Sequence, residues 1–553
     1  MKKLFWIFIA SPVLFSARIW AQETVKDTVF LIPFADTVLL DEVVVKAHKT
    51  IPMNNRWSDL QPVDLVTVAG ANGNLYKALE TLPGTQIQGE SGRLLVRGGS
   101  SDETQTYIDG MHVLNPYTST AENIPARGRY SPFMFSGINL STGGHSQEYG
   151  EALSAVLPLE TKDNSRINKV GISPSTVGIG GGGNHAFRNA SLALNLDYQN
   201  LALYNKVYPG RIDFKKPYQM FSGATQFRYT PSGSSVFKIY VGYDRTDYSN
   251  YTDNNRYLFC LGENNVYLNS TFRTAISGGW EWFSGMAYSL FDRKVDGAVT
   301  EGDHWCEKQA ELHFKTKLSK KFHPTFRMDV GFESFLRWYE TRYSQVSVAD
   351  TKEISPTIEA VFGTVSYYPV ENLKAELSFR TEYASLARKI NFSPRLSFSY
   401  SWCDLVLSAT AGRYTQLPNA KYLAQQPSLL SEACRQYNVG GLYKAAGRFY
   451  KAEFYYKKYD RLVLYTPAGL TSGGYGSSKG VDLYFEDRSL MRNLECNLSY
   501  SFNLSQRKYL EYTELTTPQY ATRHNASLVL KYSLTKLRTI VALTERFASG
   551  RPY

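Results

Sequence analysis

From about residue 166 onward, apolar and polar positions alternate with a period of two. Leu192, Leu194, Leu196 and Tyr198 fall on one parity, and Ala193, Asn195, Asp197 and Gln199 on the other. Phe227 and Tyr229 lead through Pro231-Ser232-Gly233 into Phe237, Ile239, Val241 and Tyr243. Leu312 and Phe314 repeat the pattern, as do Phe326, Met328, Val330 and Phe332. Neighbouring side chains of an extended strand point to opposite faces, so each run predicts a strand with one apolar and one polar side. The runs are roughly ten residues long and bounded by turn residues, which suits an antiparallel barrel with an apolar outside and a polar inside. Residues 166–553 would supply on the order of 18 to 22 such strands.

Residues 48–165 have a different texture. Leu75, Ala78, Leu79 and Leu82 share one face of a short amphipathic helix, which Pro83-Gly84 ends. Leu94, Leu95 and Val96 run into Arg97-Gly98-Gly99, and Thr106 to Ile108 run into the tight-turn pair Asp109-Gly110. This predicts a compact α+β unit of short strands and glycine-rich turns. Two polar loops stand out, Gln88–Arg93 and Leu114–Arg129, the second with Tyr130 just beyond it.

The N-terminus adds a compartment. Lys2 and Lys3 precede the apolar run Leu4–Phe15, and Ala21 before Gln22 is a plausible cleavage point, so residues 1–21 read as a secretory leader. The run is shorter than the ~20 residues of a membrane-spanning helix. After it, Gln22–Leu40 has no globular content, and Leu40-Asp41-Glu42-Val43-Val44-Val45-Lys46-Ala47 is a β-branched run flanked by charge. Such a run suits addition of a strand to another protein's sheet edge, and it would serve equally as a first strand of the next domain.

Composition sharpens the picture where it departs from the ordinary. Aromatic residues reach 14%, with 40 Tyr and 30 Phe, while mean hydropathy is only −0.32. A tyrosine-rich chain without long apolar runs fits a transmembrane barrel with aromatic girdles, though it also fits a large secreted β protein. The net charge of +11 falls to +8 once Lys2, Lys3 and Arg18 of the leader are set aside. That excess suits anionic head groups or ligands as well as ordinary surface charge.

In this order and spacing, Leu82-Pro83-Gly84, Gly92-Arg93-Leu94-Leu95-Val96-Arg97-Gly98-Gly99, Tyr107-Ile108-Asp109-Gly110 and Gly143–Val156 resemble the plug domain of TonB-dependent outer-membrane receptors. Asn391–Tyr400, Ala411–Pro418 and Ala452–Leu462 resemble the barrel of the same family, although Ala155 stands where the family usually has glycine. The resemblance implies a leader (1–21), an extension with a TonB box (22–47), a plug (48–165) within the lumen, and an outer-membrane barrel (166–553). Short turns such as Pro231–Ser234 would then be periplasmic, and longer polar links such as Thr246–Asn269 extracellular. Asp41, Glu42, Val43, Val44 and Val45 would meet TonB. Gln88, Glu90, Arg93, Asn115, Tyr117 and Tyr130 would lie at the plug apices that touch substrate.

Arg97 and Glu151 would hold plug to barrel. An arginine drawn into the lumen must be paired, so a barrel carboxylate such as Glu281 or Glu333 is expected to face Arg97. The implied partners are TonB with its inner-membrane energising complex, outer-membrane lipid and lipopolysaccharide, and a scarce nutrient. The nutrient would be a metal chelate such as a siderophore, a corrinoid, an oligosaccharide or a peptide. The length of the chain favours a metal complex or another small nutrient. A passive receptor or adhesin, or a truncated non-functional relative, is the alternative.

Other chemistries find little support. The eight histidines are scattered, the five cysteines show no metal-ligand spacing, and His304 with Cys306 does not make a site. Gly180–Gly183 has no following Lys-Ser/Thr and reads as a flexible link. Basic residues are not interleaved with aromatics as a nucleic-acid face requires. No catalytic set or cofactor is expected. Finally, Pro552 interrupts pairing near the C-terminus, which leads to the expectation of a barrel short of its last few strands.

Overall fold

The computed structural model describes residues 62–87, 91–119, 125–162, 168–209, 213–251, 257–345, 348–537 and 539–552. Two bodies appear, one inside the other. The inner body has a four-stranded sheet in the order Met111–Val113, Thr104–Ile108, Ala155–Thr161, Phe135–Ile138. Thr104–Ile108 runs parallel to Ala155–Thr161, and the other pairings are antiparallel. Asp109 and Gly110 both have positive φ and join two strands in a two-residue hairpin, as their pairing in the sequence predicts. Two short helices, Pro62–Val66 and Leu75–Leu79, accompany the sheet. Asn74 starts the second by accepting the Tyr76 N–H at 3.2 Å.

The core of this body is continuous with the barrel wall. Leu75, Leu79, Leu94, Val96, Ile108 and Leu157 are buried in one cluster that also takes in Tyr240 and Tyr267 of the barrel. Removing these surfaces from water supplies the non-directional part of the attachment.

The outer body is a closed antiparallel barrel of twenty strands among the described residues, from Lys169–Ser175 to Thr539–Ala548. The alternation in the sequence is explained directly. Leu192, Leu194, Leu196, Phe314, Met328 and Val330 are exposed on the outside, while His313, Lys315 and Glu333 are buried on the inside. Several strands are far longer than expected, reaching 20 residues in His304–His323 and Phe326–Gln345. Most of the supposed link Thr246–Asn269 is ladder, with Tyr251 opposite Leu258. Strands that continue beyond the apolar belt keep their backbone bonds but lose the apolar parity, so periodicity alone ends them early.

One further expectation is corrected. Gly180–Gly183 belongs to strand Gly178–Ala186 and is no link. A Cβ on Gly180 would stand 2.6 Å from Asp197 Oδ2, and one on Gly182 2.7 Å from the Leu194 carbonyl, so glycine permits a close approach there. Pro552 lies past the last described strand, which ends at Ala548 and stands beside Lys169–Ser175. That seam is thin: neither of its strands buries a side chain, whereas the adjacent His524–Leu534 buries every second one over most of its length.

Leu79→Ala should lower the stability of the inner body by about 2–5 kcal/mol. Urea unfolding followed by proteolysis of residues 62–162 should show the loss, with the barrel's SDS-resistant gel migration unchanged.

Candidate functional site

Strand Leu95–Val96 ends in two successive left-handed residues, Arg97 (φ 49°) and Gly98 (φ 71°). The turn swings the Arg97 guanidinium out of the inner body and into the wall. Gly98 is needed there, since a Cβ would sit 2.8 Å from the Ser505 Cβ. Arg97 Nε donates to Asp482 Oδ2 at 2.8 Å and Nη1 to Asn438 Oδ1 at 2.9 Å, while Nη2 lies 3.0 Å from Glu453 Oε1. Its flat face covers the Tyr455 ring at 4.5 Å. Burial by itself would lower the Arg97 pKa, but Glu453 and then Asp482 outweigh it and hold the guanidinium above its ordinary range.

The facing carboxylates are therefore Glu453 and Asp482, not the two expected. Glu281 is exposed near Arg327, and Glu333 pairs with Arg380 at 2.6 Å. Glu151, also left-handed at φ 56°, receives Arg337 Nη1 at 2.7 Å and the Leu417 N–H at 3.2 Å. Burial raises the Glu151 carboxyl and Arg337 only partly offsets it.

A third anchor was not anticipated. Glu103, which closes a capping box with Ser100, pairs with Arg507 of the barrel and accepts the Tyr459 hydroxyl at 3.1 Å. Burial would raise the Glu103 carboxyl, but Arg507 and Lys457 pull it below the usual carboxylate range. Arg507 also donates to the Gly98 carbonyl at 2.7 Å, which ties this anchor to the Arg97 turn. The Ser100–Glu103 spacing was visible in the sequence, but nothing there pointed to Arg507.

Above these anchors lies a cavity of about 400 Å³ between the inner body and the wall. It sits at the barrel end with the longer connections, since Pro418–Leu423 and Tyr509–Leu510 line it. Asp102, Gln105 and His112 contribute from below, and Trp338, Tyr422 and Tyr509 from the wall. Charges of both signs beside aromatic faces can hold a polar ligand with a flat or apolar portion.

Three of the six expected apical residues line this cavity. Arg93 lies over the Tyr117 ring at 5.5 Å, and Asn115 Nδ2 donates to Asn265 Oδ1 at 3.3 Å. Tyr117 is mostly internal, its hydroxyl accepting the Leu94 N–H at 3.1 Å. Tyr130 is not at an apex: it is buried against Tyr240 and Tyr267, each 6.1 Å away, because its ring completes the packing between the two bodies. Gln88 and Glu90 lie outside the described residues, as do Asp41, Glu42, Val43, Val44 and Val45 and the leader. Among the described residues no group of three or more His, Cys, Asp and Glu could hold a metal ion.

Arg97→Gln leaves Glu453 and Asp482 facing each other without their shared cation. It should weaken attachment of the inner body by about 3–5 kcal/mol, seen as faster amide exchange over residues 94–99 in the purified protein.

The described geometry, a small α+β body within a large barrel, has counterparts. Residues 66–156 match the TonB-dependent receptor plug domain, and residues 129–551 match the TonB-dependent receptor-like β-barrel. No curated protein matches the chain by sequence. Among solved structures, the outer membrane transporter YddB from Escherichia coli is similar at a TM-score of 0.71 and 12% identity, covering 89% of this chain and 85% of that one. The siderophore receptor PirA from Pseudomonas aeruginosa is similar at 0.66 and 12% identity, covering 89% and 90%. The copper transporter OprC is similar at 0.68 and 11% identity, covering 86% and 82%. At such identities these structures share the fold, while the two domain matches span most of the chain. The chain belongs to the TonB-dependent receptors, β-barrel proteins of the outer membrane with an internal plug domain.

Proposed function

We propose that the chain is an active importer that takes a scarce small nutrient across the outer membrane with energy delivered by TonB. The observation that supports this best is the nature of the plug's attachment. Arg97, Glu103 and Glu151 each make a buried ion pair with a residue of the barrel. Charged partners separated in the presence of water regain hydration, so a pull can exchange these bonds one after another. An apolar seal of the same area would have no such replacement.

Ligand enters the cavity at the end with the longer connections, which we take as extracellular, and meets Arg93, Asn115 and Tyr117 on the plug side. Gln88 and Glu90 belong to the same apical region by sequence. The strand-forming run Asp41–Val45 adds to a sheet edge of TonB through backbone bonds. Arg97 and Glu151 then act as the points at which the pull is resisted. A metal complex such as a siderophore chelate is the favoured cargo, given the cavity's size and mixed charge. The outward apolar face meets lipid, and the positive net charge suits anionic lipopolysaccharide. No catalytic step belongs to the proposal.

Val44→Pro removes a backbone donor and should abolish uptake while leaving ligand binding at the cell surface intact. The check is a growth and uptake panel of a deletion strain carrying each variant on limiting iron, corrinoid and carbon sources. Unchanged uptake would remove the TonB assignment.

A further inference from the structure

Two buried histidines meet where the cavity floor touches the barrel wall, and their hydrogen bonds assign them different charges. His313, on strand His304–His323, receives the backbone N–H of His112 at Nδ1, 3.0 Å away. That nitrogen has no proton, so Nε2 carries the one that donates to Glu333 at 2.9 Å, and His313 is neutral. His112 is the opposite case. Its Nδ1 lies 2.6 Å from Glu311 Oε1, and its Nε2 lies 2.9 Å from Gln105 Oε1. The amide nitrogen of Gln105 is already committed, donating to the Asp102 carbonyl at 2.8 Å, so its oxygen must face His112. Glu311 stays a carboxylate because Arg337 Nε donates to its other oxygen at 2.6 Å. Both ring nitrogens of His112 thus face acceptors, and only the imidazolium can donate to both.

Arg337 is shared between Glu311 and Glu151, and the imidazolium of His112 gives Glu311 a second cationic partner. The other groups that face His112 are Tyr107 and Phe335, whose rings bring no charge.

We propose that His112 is a positioning residue whose imidazolium clasps the plug's cavity floor to Glu311 on the barrel, so that the plug's hold depends on one proton. His112 and Gln105 line the cavity together with Arg337. A ligand that draws on Gln105 or Arg337 therefore acts on the same clasp. Loss of the proton would turn one of the two hydrogen bonds into an acceptor facing an acceptor.

This rests on reading residues 62–162 as a movable plug, but its test needs neither TonB nor ligand, so failure of the import reading would leave the result interpretable. The purified full chain in detergent, labelled with ¹⁵N histidine, should show a ring with both nitrogens protonated at neutral pH that is absent from His112→Gln. Amide exchange in residues 104–113 should be roughly ten- to a hundredfold faster in His112→Gln than in the wild type, while His112→Lys should stay slow. A wild-type spectrum in which every histidine is singly protonated at neutral pH would overturn the proposal. So would wild-type exchange rates over residues 104–113 in His112→Gln.

Discussion

Everything in this molecule depends on charges buried between the plug and the barrel. Arg97 is enclosed on all sides, and taking a guanidinium out of water is tolerable only because Glu453, Asp482 and Asn438 complete its bonding. The barrel supplies those groups from three different strands, Glu432–Ala445, Arg448–Thr466 and Gly469–Asp487. Moving the guanidinium away from this point would unpair several of them together. Position is therefore specified sharply even though the net stabilisation from each pair is modest.

The same chemistry explains how a sealed lumen can remain usable. The plug has an apolar core that runs on into the barrel wall at Tyr240 and Tyr267. Its outer surface is joined to the wall largely by polar contacts, including Arg129 with Asp244 and Lys238 with Asp109. Apolar contact supplies the non-directional part of the attachment, and polar contact fixes its position. The cavity adjoins these contacts, because Glu103, Glu151, Arg337 and Arg507 both line it and tie plug to wall. In the proposed import reading, ligand and lock are read by shared residues.

Much of this was legible in the sequence, for reasons that differ by residue. The lipid-facing parity announced the barrel because water and lipid impose opposite demands on alternate side chains. Asp109-Gly110 announced its hairpin because both residues tolerate positive φ. Arg97 was suspect because a charge between an apolar strand and two glycines has no obvious solvent. Its partners were not legible, since Glu453 and Asp482 lie hundreds of positions away and look like any other lumen-facing acids. Tyr130 misled because an aromatic beside a polar loop packs or binds with the same sequence signature. Gly180–Gly183 misled because a strand without side chains has no parity to show.

The central claim is that the plug must move relative to the wall for cargo to pass. Thr81 on the plug and Ser499 on the barrel are joined by a hydrogen bond from the Ser499 hydroxyl to the Thr81 carbonyl at 2.7 Å. A disulfide between cysteines placed at these two positions would fasten the plug without entering the cavity. Uptake measured in oxidised and reduced cells is the most direct test. The account requires that oxidation stops transport, that reduction restores it, and that ligand binding persists in both states; equal uptake before and after reduction would contradict it.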